Sequence, residues 1–145
     1  MDARLTPNDF LFPLGRPEQF RWTRKAREEL GPRFARRGIQ LDDLRTSEDI
    51  ENAIAKVIVF EYNALTPEQR TDSALVQEIY DLQFVAYPLH GFPPRPLAER
   101  RARQHQAMQW VLDLPAADRP PRPVEPPMEV LGGIWRALQR LWSTR

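Results

Sequence analysis

Few residues in this chain are suited to chemistry, and their spacing limits what they can do. His90 and His105 are the only imidazoles, fifteen residues apart. A metal centre needs further ligands at short spacing, and neither histidine has them nearby in sequence. With no cysteine, neither a thiolate site nor a disulfide framework is available. Carboxylates gather at Asp42–Asp43 and at Glu48, Asp49 and Glu51. Paired carboxylates can pass protons, but both groups fall where helices are expected to start, and the helix dipole already favours negative charge there. Ser47 and Ser73 occupy helix-start positions and Ser143 lies near the terminus, so none sits in a nucleophile elbow. The six glycines are scattered and build no phosphate-cradling loop. The expectation is a non-enzyme with no metal and no cofactor.

Basic residues offer a second chemistry. Nineteen arginines accompany only two lysines, and the guanidinium fork suits phosphate and carboxylate partners. One cluster is Arg33, Arg36 and Arg37; another is Arg95, Arg100, Arg101 and Arg103, projecting from one expected helix. The second set could contact phosphates, which makes a nucleic-acid-binding regulator the alternative reading. A net charge of +1 supplies no global field to draw the protein onto nucleic acid.

Apolar residues at the two ends offer a third. Phe10, Leu11, Phe12 and Leu14 form a run broken by Pro13, which excludes a long helix and suggests an extended arm over residues 1–16. At the other end, Leu131, Ile134, Trp135, Leu138, Leu141 and Trp142 share one helical face, with Arg136, Gln139 and Arg140 mostly opposite. Gly132 and Gly133 weaken its first turn by about 1 kcal/mol each relative to alanine. A helix this short is marginal alone, so something must cover its apolar side. The chain's own bundle, a partner groove and a membrane interface are the three covers, and the first two are favoured. The residues expected to dock a partner are Phe10, Phe12, Leu131, Trp135, Leu138 and Trp142.

The elements between these ends read as helical. At 145 residues, with 41% hydrophobic and 28% charged residues, the chain suffices for one domain with a core. A first helix is expected over 17–30, carrying Phe20, Trp22, Ala26 and Leu30 and stopped by Gly31–Pro32. Gly38 ends the next short turn in a left-handed cap. The segment "RTSEDIENAIAKVIVFEYNAL" opens with Thr46 and Asp49 at capping-box spacing. Ile50, Ala53, Ile54, Val57 and Ile58 then follow the helical period. "VIVFEY" also suits a buried strand, but the cap and the period favour helix. "LTPEQRTD" repeats the start grammar before a helix over 73–86, and Pro88 ends it. A fourth helix is expected over 96–114 with Ala98, Ala102, His105, Met108 and Leu112 inward, making His105 a core histidine. Ten of the fifteen prolines lie at or after Pro88. Residues 115–127 should therefore be an extended, exposed polyproline linker leading to a terminal amphipathic helix within 128–145. The expected fold is all-α: a helical domain over 17–114 with about four helices, the linker, and the tethered fifth helix.

Between Phe20 and Leu82, the order "FRWTRKAREEL", "IQLDDL" and "SEDIENAIAKVIVFEYNALTPEQ" resembles small phage tail assembly chaperones. That resemblance covers under half of the chain and implies a helical, non-enzymatic protein that binds tail subunits or a tape-measure protein during assembly. Expected partners are then other protein subunits, a second copy or phage tail and particle proteins. The N-terminus lacks a signal-peptide pattern, and no apolar run approaches the roughly 20 residues of a membrane span. The protein is expected to be soluble and cytoplasmic as made, with incorporation into a virion a further possibility under this reading.

Overall fold

The computed structural model describes residues 10–14, 20–86 and 95–127. Two short strands, β1 (Leu11–Pro13) and β2 (Phe20–Trp22), pair antiparallel, with Phe12 opposite Arg21. Among the described residues five α-helices follow: α1 (Arg24–Glu29), α2 (Gly31–Ala35), α3 (Ser47–Ala64), α4 (Ser73–Tyr80) and α5 (Leu97–Leu112). Short 3-10 turns occupy Leu41–Asp43, Gln69–Thr71 and Asp81–Ala86. The fold is mostly helical with one small sheet.

The sheet corrects the helix expected over 17–30. Phe20–Trp22 is a strand, and the helix begins only at Arg24, where the Thr23 hydroxyl accepts from Ala26 N–H (3.1 Å). Trp22, Ala26 and Leu30 are all buried, so the helical spacing of the three is real. It arises because a strand and a helix feed one core, not because they share one helix. The Trp22 indole N–H donates to the Leu41 carbonyl (3.0 Å), and Thr23 N–H donates to the Phe10 carbonyl (3.1 Å). These bonds tie the hairpin to the helical body.

α3 is the central element, and the rival strand reading of Val57 to Tyr62 fails. Thr46 and Asp49 close the expected capping box: Asp49 N–H donates to the Thr46 hydroxyl (3.0 Å), and Asp49 accepts from the Arg45 and Thr46 N–H groups (3.1 and 3.3 Å). Eighteen residues of helix follow. Ile50, Ala53, Ile54, Val57 and Ile58 enter the main core with Phe10, Leu30, Phe34, Tyr80, Leu82 and Val85. At the far end, Arg70 donates to the Tyr62 and Asn63 carbonyls (both 3.4 Å), satisfying acceptors the last helical turn leaves open.

The second start signal works as written: Thr66 and Gln69 exchange bonds of 2.9 and 3.2 Å. They organise the Gln69–Thr71 turn, while Asp72 caps α4 by accepting from Ala74 and Leu75 N–H. α4 tightens into the 3-10 turn rather than continuing to residue 86. Gly38 adopts φ +77°, the left-handed cap expected of it.

α5 runs alongside α3 in the same direction, since the contacts advance together: Arg103 reaches Asn52, Lys56 lies over the Trp110 ring, and Val59 packs with Ala107, Met108 and Val111. Of the face expected for α5 only Met108 is buried, and the phase is off by about one residue. Gln104, Ala107, Met108 and Val111 are buried, whereas Ala98, Ala102, His105 and Leu112 are exposed. Alanines fit either side of a helix, so three small or ambiguous residues set a misleading phase. His105 is therefore not a core histidine. Among the described residues no helix is long and apolar enough to cross a membrane.

Two experiments test this frame. Tyr80 is fully buried and stacks on Tyr62, yet its hydroxyl has no hydrogen-bond partner among the described residues. An unsatisfied buried hydroxyl costs free energy, so Tyr80→Phe should be neutral or stabilising by up to about 1 kcal/mol in chemical denaturation. The Arg45 N–H above all, then the Thr46 N–H and hydroxyl, hold the Asp49 carboxyl below its ordinary range, against the opposing effect of burial. Its contribution is complete above the unfolded carboxyl pKa and is lost as pH falls through the lower folded one. Asp49→Ala should cost about 1 kcal/mol at neutral pH, and the gap from the parent protein should close on acidification.

Candidate partner-docking surfaces

The N-terminal hairpin splits the two phenylalanines expected to meet a partner. Phe10 stands in the turn before β1, while within the strand Leu11 and Phe12 point to opposite faces. Phe10 and Leu11 are buried in the chain's own core, at 0% and 1% exposure, so Phe10 is a hairpin anchor and presents no face for docking. Phe12 is 54% exposed and Leu14 49%. The Arg21 guanidinium lies 5.4 Å from the Phe12 ring centroid, across the strand pair. A rigidly anchored hairpin thus presents an aromatic, an aliphatic and an arginine side chain together. Leu131, Trp135, Leu138 and Trp142 lie outside the described residues.

The basic helix is less available than its sequence suggests. Arg95 donates to both carboxylate oxygens of Glu51 (3.2 and 3.3 Å), and Arg103 approaches the same carboxylate at 3.9 Å while donating to Asn52 (2.9 Å). Glu51 is only 9% exposed, so this triad is a largely desolvated seam between α3 and α5. Arg100 donates to the Arg95 carbonyl (3.0 Å). Arg101 alone of the four is exposed, with no side-chain partner among the described residues. Three of the four side chains make hydrogen bonds within the chain.

Several carboxylates are similarly engaged. Asp49 caps α3, Asp42 accepts from Arg27 (2.7 Å), and Glu61 is gripped by Arg33, whose Nε donates to both its oxygens (3.0 and 2.8 Å). Beside that pair, an open groove of about 580 Å³ lies between α2, α3 and α4. Arg33, Arg36 and Arg37 on its walls are matched by Glu29, Glu61 and Glu78, so it offers no net charge to an ion. Arg37 stacks on Phe60 at 3.7 Å. Among the described residues no three His, Asp or Glu side chains gather as metal ligands.

The polyproline segment holds the largest departure. Residues 115–127 do not form a free linker. A turn follows α5, with Asp118 and Arg119 N–H donating to the Pro115 carbonyl (2.8 and 3.0 Å) and the Arg119 guanidinium donating to the Leu112 carbonyl (3.1 Å). Pro120 and Pro126 are buried. Asn63, at the end of α3, donates to the Val124 carbonyl (2.8 Å) and accepts from Val124 N–H (2.6 Å), and Gln104 donates to the Pro126 carbonyl (2.9 Å). The segment is a strap that runs back over the α3–α5 seam. Prolines bring no N–H groups and leave carbonyls free, so side-chain amides are the natural partners. Asn63 and Gln104 were not singled out in the sequence. Their only signal is a buried-phase amide on each helix, and the mistaken phase of α5 concealed Gln104.

Arg103→Ala should lower stability by about 1–2 kcal/mol, because it strips a partner from the buried Glu51, whereas Arg101→Ala should change it by less than about 0.5 kcal/mol. Equilibrium denaturation of the two variants makes the comparison.

Comparison with known proteins finds no matching family model, no matching curated protein and no matching solved structure. The functional reading therefore stands on the surfaces described above.

Proposed function

We propose that this protein is a non-enzymatic helical adaptor that joins other protein subunits, in the manner the resemblance to phage tail assembly chaperones implies. The observation that supports it is the exposed pair Phe12 and Leu14 on a hairpin whose neighbours Phe10 and Leu11 are locked in the core. Large apolar side chains held rigidly in water favour docking, since little conformational entropy remains to be lost on contact. The outer edge of a two-stranded sheet also offers backbone donors and acceptors to an incoming strand. Engagement of Asp42, Asp49 and Glu51 in a cap and ion pairs, and of Arg95 and Arg103 by Glu51, favours this reading over proton transfer or phosphate binding.

The test has a genetic and a biochemical arm. Neighbouring genes should encode tail or particle proteins, and the full-length chain should form a complex with one of them on pairwise co-expression. Phe12→Asp together with Leu14→Asp should weaken that complex at least about tenfold, because a charge would be desolvated in a docked apolar patch. Thermal unfolding should be nearly unchanged, as both residues are already exposed. Complex formation indifferent to this double substitution would rule out the hairpin as the docking face.

A further inference from the structure

The strap is a separable ligand seated on a receptor that belongs to the same chain. Its closest polar contacts are to its backbone: Asn63 makes a two-way amide pair with Val124, and Gln104 holds the Pro126 carbonyl, with a longer bond to the Glu125 carboxylate (3.5 Å), while Pro126 itself is buried. The Val124 side chain itself is 43% exposed. The receptor, formed by the end of α3 and the middle of α5, does not depend on where the strap's N-terminal end comes from.

The hinge within the strap, just before its seated residues 123–127, is strained. Arg122 has φ +49° and is the only non-glycine residue with positive φ among those described. That region is sparsely populated by side-chain-bearing residues. Its successor is Pro123, and a residue before proline is pushed toward extended backbone. Both preferences oppose the conformation Arg122 adopts. The bend exists because the chain leaves α5, turns at Pro115–Arg119 and must reverse again to reach Asn63 of its own body. A strap reaching the Asn63 and Gln104 of a second copy could leave Arg122 extended. Short hinge loops under strain favour such exchange.

We infer that residues 123–127 exchange between two copies of the chain, Arg122 being the hinge and the α3–α5 seam the receiving groove in each. The closed monomer predominates at low concentration, because its strap is tethered beside its groove and the effective concentration is high. The exchanged dimer repeats every amide contact and removes the hinge strain. This goes beyond the adaptor reading and does not depend on it, since no foreign partner is involved.

Substitutions at the hinge move the two states in opposite directions. Arg122→Pro cannot adopt positive φ and would create four consecutive prolines, 120–123, a stiff extended rod. Arg122→Gly relaxes the closed form. In sedimentation velocity of full-length protein from low to several hundred micromolar, Arg122→Pro should dimerise at least about tenfold more tightly than the parent, and Arg122→Gly more weakly than the parent. Adding Val124→Pro to Arg122→Pro removes the N–H that donates to Asn63 while keeping polyproline character, and should return the protein to monomer. Far-UV circular dichroism should show the same helical content in all four proteins. An Arg122→Pro protein that stays monomeric, a dimer that survives Val124→Pro, or Arg122→Gly dimerising as tightly as Arg122→Pro would each overturn the inference. Loss of helix in Arg122→Pro would overturn it as well, by showing that the strap can seat only in its own chain.

Discussion

Two hydrogen bonds at Thr46 and Asp49 fix where α3 starts, and the rest of the molecule depends on the phase they set. With the first turn placed there, Ile50, Ala53, Ile54, Val57 and Ile58 face the hairpin, α2 and α4, while Val59 turns toward α5. Glu51 and Asn52, one turn into the helix, meet Arg95 and Arg103, and Asn63, in the last turn, meets the strap. A one-residue shift of α3 would rotate every one of these side chains by about 100° and separate all three partners at once. A single cap thus couples the core, the ion triad and the proline strap.

Because α3 and α5 point the same way, they cannot be joined by a tight turn. α4 and the Asp81–Ala86 turn stand between them in the chain. Their parallel alignment places the acid-rich start of α3 beside the arginine-rich start of α5. Attraction between Glu51 and two guanidinium groups then offsets part of the cost of burying the carboxylate. The same alignment leaves the two C-terminal ends together, where the strap crosses from one to the other.

Much of this was legible in the sequence wherever a local signal and the hydrophobic period agreed. Thr46 with Asp49, and the apolar residues behind them, define α3 without reference to anything distant. Gly38 and the Thr66–Gln69 pair are equally local. Legibility failed where partners lie far apart in sequence. Phe20–Trp22 is a strand only because Leu11–Pro13 pairs with it, and its residues happen to continue the spacing of Ala26 and Leu30. In α5, alanine side chains carry almost no information about facing, and a buried Gln104 makes sense only beside the carbonyl of Pro126. Proline-rich sequence reads as exposed because it offers little to a core; what holds it is an amide from a helix sixty-one residues earlier. Of the docking residues, Phe10 lies in the turn before β1 and is buried while Phe12 within β1 is exposed, a difference that a bare run of apolar residues does not show.

The apolar interior is divided unequally, and the division has a consequence for how the native state opens. The larger cluster joins the hairpin, α1 to α4 and the turn after α4, whereas the smaller rests on Val59, Ala107, Met108 and Val111. Opening free energies within one protein follow the apolar contact each segment would lose. α5 and the strap can therefore detach together as one cooperative unit while the larger cluster stays closed. Amide protons in α5 would then exchange through this partial opening, and those of α3 that face the main core only through complete unfolding. Val59, lying on the boundary, would report which of the two events has taken place.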